Sequence, residues 1–292
     1  MNIKNIERVV SPPPHHFVGD GFRVHNFIPS IFSMERMSPF IMMDYNSKHI
    51  FPATDKPRGV GVHPHRGFET VSIAYKGKIA HHDSAGNSGV IEEGDVQWMT
   101  AASGVLHKEY HEKEYSKKGG EFHMVQLWVN LPSTDKMSKP KYQSIVNHDI
   151  SKYYLPNNGG RIEIIAGEHN GIKGSASTFT PVHLMNGYFN EGASETFHFP
   201  SNFNTALLVL EGKVKINGNQ IVDTDQFALF KNDGETFEVT AMEQSLFLLL
   251  SGEPINEPIA AHGPFVMNTR QEIIQAFEDF NDGKFGELAD LI

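Results

Sequence analysis

The chain has 292 residues, 39% hydrophobic and 21% charged, a balance that describes a folded globular protein rather than a disordered one. That length favours two domains over a single core, and a formal charge of −10 argues against a broad nucleic-acid-binding surface. The absence of cysteine excludes disulfides and thiolate-ligated metals, and it fits a reducing, cytoplasmic setting.

In chain order, Met1-Asn2-Ile3-Lys4 runs into mixed polar sequence without the apolar stretch of a signal peptide. Pro12-Pro13-Pro14 predicts an extended connector. Val71–Tyr75 reads as a strand, followed by a turn at Lys76-Gly77-Lys78. Asp95–Thr100 and Gln126–Leu131 follow, the latter ended by Pro132. Thr205–Leu210, Lys213–Asn217, Gln226–Phe230 and Ser245–Leu250 continue the pattern. Short strands at close spacing predict sandwiches or barrels rather than alternating β and α units. The longest strictly apolar runs, such as Ala206–Leu210 and Leu246–Leu250, are far shorter than the about 20 residues of a membrane helix, so no membrane span is expected. Thr269 and Glu272 have capping-box spacing, Ile273, Ile274, Phe277 and Phe280 recur at helical intervals, and Gly283 can end the helix they predict.

A weak internal echo accompanies these elements. Tyr75-Lys76-Gly77-Lys78-Ile79 matches Leu210-Glu211-Gly212-Lys213-Val214, and Gly94–Trp98 matches Thr224–Ala228. The offset is close to half the chain, which predicts two similar β-domains joined near Pro132–Pro140.

The chemistry-bearing residues are histidines, 12 of whose 16 fall before residue 150. His63-Pro64-His65 and His107-Lys108-Glu109 are i,i+2 pairs, so on strands each pair points two side chains to one face about 7 Å apart. Three neutral imidazoles and a carboxylate form a mixed N/O donor set suited to Fe(II), Mn(II), Ni(II), Cu(II) or Zn(II). A His-x-His pair is weak evidence by itself, because this composition yields about one by chance. Glu69 shares the parity of His63 and His65 and competes with Glu109 for the carboxylate position. The histidines beyond residue 150, His169, His183, His198 and His262, are scattered, so the second domain is expected to be metal-free.

Several further stretches make the sequence distinctive: Ser38–Asp44, His63–Val71, Gly94–Ala101, Gly104–Glu109, Gln126–Pro132 and His262–Thr269. On these the chain resembles the pirin family, a branch of the cupin superfamily, along nearly its whole length. The resemblance implies an all-β bicupin: two antiparallel β-barrel (jelly-roll) domains face to face, with a C-terminal helix. Residues 1–135 would form the metal-binding domain, and 136–292 the metal-free domain with its helix. It also implies His63, His65, His107 and Glu109 as ligands of one ion, with Fe(II) preferred over Mn, Ni, Cu or Zn. Glu69 then becomes a pocket residue or a partner of the ligands. The implied activity is that of a quercetin 2,3-dioxygenase, in which a flavonol is cleaved by O2 with release of carbon monoxide and Glu109 accepts the substrate proton. Phe40, Met42, Phe68, Met99, Met124 and Trp128 are the expected pocket walls. The alternative is a non-enzymatic iron-binding regulator acting through a protein partner, its metal either structural or redox-sensing.

Overall fold

Val, Ile, Phe and Leu alternate with polar residues over most of the chain, and backbone positions at Gly and Asn supply the turns between them. A computed structural model, which describes residues 2–289, shows what this pattern builds. Contacts group the chain into two units. The first contains Pro13–Glu35, Phe40–Asn147 and the segment from Ile255 onward; the second contains the chain up to Pro12, Arg36–Pro39 and His148–Pro254.

Each unit is built on two large antiparallel sheets, with a small two-stranded sheet besides. In the first, a seven-stranded sheet runs in the order 141–145, 96–100, 68–76, 120–130, 40–51, 22–28 and 16–18. Its four-stranded companion runs 59–65, 105–111, 79–83 and 88–91. The second unit repeats the plan, with seven strands from 6–10 through 227–230 to 151–154 and four strands 194–198, 236–241, 213–216 and 220–223. Neither pair closes into a continuous barrel, and both are open jelly rolls. The apolar faces fill the space between sheets, with Phe22, Phe51, Phe122 and Met124 in the first unit and Phe197, Phe237, Phe247 and Leu249 in the second.

The internal echo is a structural repeat. Strand 68–76 passes from the seven-stranded to the four-stranded sheet through Gly77, and strand 204–211 does the same through Gly212. Both glycines have positive φ, 86° and 76°, a conformation that a side chain disfavours.

The grouping differs from a single cut at 135/136. Residues 136–147 stay with the first unit because strand 141–145 pairs with 96–100. Strand 6–10 pairs with 227–230 and so belongs to the second unit. The C-terminal helix, Arg270–Asn281, belongs to the first unit, where its Phe277 packs on Phe265 with ring centroids 4.8 Å apart. That helix begins as its sequence predicts. Thr269 Oγ1 accepts from the Glu272 N–H (3.2 Å), and the Glu272 carboxylate accepts from the Thr269 N–H (2.8 Å), a reciprocal cap that satisfies two otherwise free donors. The chain leaves it at Gly283, with φ of 73°.

Each unit also encloses a neutral imidazole. Burial, with Lys48 and Lys76 adding to it, pushes His123 down to about 3. Burial, followed by His198 and His183, pushes His169 down to about 4. Both rings are neutral when folded, whereas an unfolded histidine takes up a proton below about pH 6.5. The unfolded chain therefore binds more protons in acid. Stability is complete above about pH 6.5 and falls by up to about 1.4 kcal/mol per pH unit for each ring as the pH drops toward 4. Urea denaturation between pH 7 and 5 is expected to show this decline and to show a shallower one in His123→Gln; a flat profile for the native chain would contradict it.

Candidate metal centre

Three neighbouring strands of the first unit carry the polar groups that the repeat does not explain. Strand 105–111 lies between 59–65 and 79–83. His107 pairs with His63 on one side and with Asp83 on the other, and Glu109 pairs with His81. The i,i+2 spacing then keeps His63 and His65, His107 and Glu109, and His81 and Asp83 on one face. The His63 and His107 rings are 4.2 Å apart between centroids, His65 and His107 4.5 Å, and His63 and His65 4.8 Å.

A ligand atom from each of His63, His65 and His107 lies within 4.8 Å of the other two. A second group with the same property consists of His81, His107 and Glu109. The three predicted imidazoles are thus brought together. Glu109 joins them through His107, in a group whose third member is His81. The reason is visible in its partners: Ser72 Oγ donates to Glu109 Oε1 (3.2 Å) and Gln126 Nε2 to Oε2 (2.8 Å), so the carboxylate is held toward strands 68–76 and 120–130. Both groups lie in the first unit.

The donors are prepared for a cation. His63 Nδ1 donates to the Gly61 carbonyl (2.8 Å), which leaves Nε2 as the lone-pair nitrogen. Both nitrogens of His107 and Nδ1 of His65 are buried without a hydrogen-bond partner, an arrangement that costs about 1–3 kcal/mol per group unless something binds there. Burial, then the His63 and His65 rings, holds His107 well below the usual histidine range; burial and then His63 do the same for His65. Neutral imidazoles are the form that coordinates metals. These residues fit a mononuclear divalent ion.

Beside them opens a cavity of about 440 Å³. His63, His65 and Glu109 face it, Met42, Met124 and Trp128 supply apolar wall, and Gly263 and Pro264 border it from the C-terminal segment. Phe40, Phe68 and Met99, also expected as walls, do not line it; Phe68 stacks behind Trp128 at 4.2 Å and Met99 packs with Ala101, Val105 and Tyr142. Asp44 lines the cavity too, its carboxylate accepting from Asn26 Nδ2 (2.7 Å) and raised in pKa by burial.

Glu69 departs from expectation. Ser72 faces the site, so on the same regular strand Glu69 points to the opposite face. There its carboxylate accepts from Thr100 Oγ1 (2.7 Å), and burial raises it to about 7. It neither lines the cavity nor belongs to a candidate ligand group. Sequence reasoning missed Ser72, Gln126, His81 and Asp83. For the last two a signal existed, because His81-His82-Asp83 is a third i,i+2 pair of ligand-type residues.

Paired jelly rolls, with a histidine-rich cluster able to hold a metal inside the first, define a two-domain cupin. The chain belongs to the pirin family. The Pirin family model matches residues 21–129 and that of the pirin C-terminal cupin domain matches 184–286. A solved structure of quercetin 2,3-dioxygenase from Acinetobacter baumannii is similar over 99% of this chain and 100% of its own, with a TM-score of 0.93 and 44% identity. Pirin of Homo sapiens is 36% identical over 87% of this chain and 84% of its own length. A pirin-like protein of Solanum lycopersicum is 37% identical over 92% and 88% respectively. Among the described residues, no helix is long and apolar enough to cross a membrane.

Proposed function

We propose that this protein cleaves a flavonol with O2, releasing carbon monoxide, in a quercetin 2,3-dioxygenase-type reaction at one Fe(II) held by His63, His65, His107 and Glu109 in the first cupin unit. The observation that carries this reading is the cavity. At about 440 Å³ it falls within the size range of small-molecule sites, and it joins apolar wall to the imidazole cluster. A purely structural ion would need no such space, and a closed site would have favoured the regulatory alternative.

When bound, a redox-active divalent ion supplies positive charge that favours the deprotonated form of an acidic hydroxyl, together with open positions for O2 chemistry. The remaining work falls to the chain. Met42, Met124 and Trp128 take up the flat apolar body of the substrate and displace water from it. Glu109, exposed to the same cavity, accepts the 3-hydroxyl proton of the flavonol. Ser72 and Gln126 each donate to one of its two oxygens and hold the carboxylate in place for both roles.

Anaerobic addition of a flavonol to iron-loaded protein, followed by a pulse of O2, tests the reading: stoichiometric carbon monoxide is expected, and its absence from fully loaded protein would refute it. Gln126→Leu removes one donor from Glu109 and the bond to Ser72 Oγ (3.2 Å). It is expected to weaken Zn(II) binding about tenfold, measured by calorimetry.

A further inference from the structure

We infer that the first unit holds a second position for a divalent cation, formed by His81, His107 and Glu109, which shares His107 and Glu109 with the proposed ligand set and is occupied in alternation with it. The inference rests on the metal-centre reading above and extends it to a residue outside the proposed ligand set.

The geometry has three parts. A ligand atom of each of the three side chains lies within 4.8 Å of the other two, and all three residues are buried. The register explains their meeting: Glu109 sits directly opposite His81, whereas His107, two residues earlier on the same strand, sits opposite His63. The two groups are therefore staggered along one strand, with His107 at the junction. Two imidazoles and one carboxylate also form the donor set that leaves positions open on ions such as Fe(II).

The unsatisfied atoms point the same way. His81 Nδ1 is buried without a partner, and so are both nitrogens of His107. An ion in the first position satisfies one His107 nitrogen and leaves His81 Nδ1 as it was. On its other edge, His81 Nε2 lies 3.4 Å from Asp83 Oδ2. That carboxylate is itself fixed by the backbone N–H groups of Ala85 and Asn87 and by the Asn87 side chain. A carboxylate behind an imidazole sets the ring's orientation and tautomer and makes it a better ligand. A neutral His107 has a single lone pair, so it serves one position at a time. The protein thus binds one ion that moves between two donor sets.

Calorimetric titration with Zn(II) tests this in three chains: native, His63→Ala/His65→Ala, and the same double variant with His81→Ala added. The native chain is expected to bind one equivalent. The double variant should retain one equivalent at weaker affinity, and adding His81→Ala should lower that affinity at least about tenfold further. A native chain that binds nothing would overturn the metal-centre reading itself. A native chain that binds, with a folded double variant that does not or that is indifferent to His81, would overturn only the second position. A parallel measurement covers a double variant that fails to fold. The native sequence has no cysteine, so in His63→Ala/His81→Cys, whose first donor set has lost an imidazole, any thiolate-to-cobalt absorption band on loading with Co(II) reports position 81 alone. Its appearance supports the inference, and its absence from folded, loaded protein overturns it.

Discussion

Replacing His107 with alanine is expected to remove divalent-cation binding almost completely, with an affinity loss of at least about 100-fold. Among the described residues, His107 is the imidazole common to both candidate groups. Its ring is fully buried, 4.2 Å from His63, 4.5 Å from His65 and 5.4 Å from His81, and neither nitrogen has another partner. Loss of His63 leaves two imidazoles of the first set in place, so its cost is smaller. Stability should report the same difference. An ion at 100 times its dissociation constant stabilises the folded state by about 2.7 kcal/mol, so a chelator should lower the melting temperature of the ion-loaded native chain and leave His107→Ala unchanged. A variant that binds Zn(II) as tightly as the native chain would place the ion elsewhere.

The second large effect is expected at Arg66. Its guanidinium is buried, donates to Asp279 Oδ2 (2.8 Å) and to the Ser103 carbonyl (2.7 Å), and lies 4.7 Å from the centre of the Phe285 ring. Arg66→Ala leaves the Asp279 carboxylate with Lys284 and Gln275 as partners and should destabilise the first unit by about 1.5–3 kcal/mol, the usual cost of losing a hydrogen bond to a charged group. The loss should concentrate in the segment from Ile255 onward, where faster amide exchange and proteolysis are expected. Because Gly263 and Pro264 border the cavity, ligand affinity should fall as well. Bonds from Lys284, Arg66 and Gln275 hold Asp279 below the usual carboxylate range. The stability they contribute is present above about pH 4 and is lost as the pH falls below it. Unchanged exchange rates in the helix of Arg66→Ala would show that other contacts hold it.

Much of this was legible in the sequence because its signals are local. The Thr269–Glu272 cap fixed the start of the C-terminal helix, the Gly77 and Gly212 turns marked the repeat, and the parity of His63/His65 and His107/Glu109 placed each pair on one face. Parity does not say which face is inward or which strand lies alongside. Glu69 shows the first gap: its even spacing from His65 counts for nothing once Arg66-Gly67 separates the two strands. His81 shows the second, since only the register of 79–83 against 105–111 sets it beside Glu109. The grouping of residues 2–12 and of the segment from Ile255 also depended on pairings between distant positions, as in 6–10 with 227–230.

That crossed grouping has a consequence for biosynthesis. The ribosome releases His63, His65, His107 and Glu109 well before Gly263, Pro264 and Asp279. At about 5–20 residues per second, the nascent first unit spends on the order of ten seconds with its histidines in place and one side of the cavity missing. The arriving C-terminal segment then adds Gly263 and Pro264 to the border of the cavity.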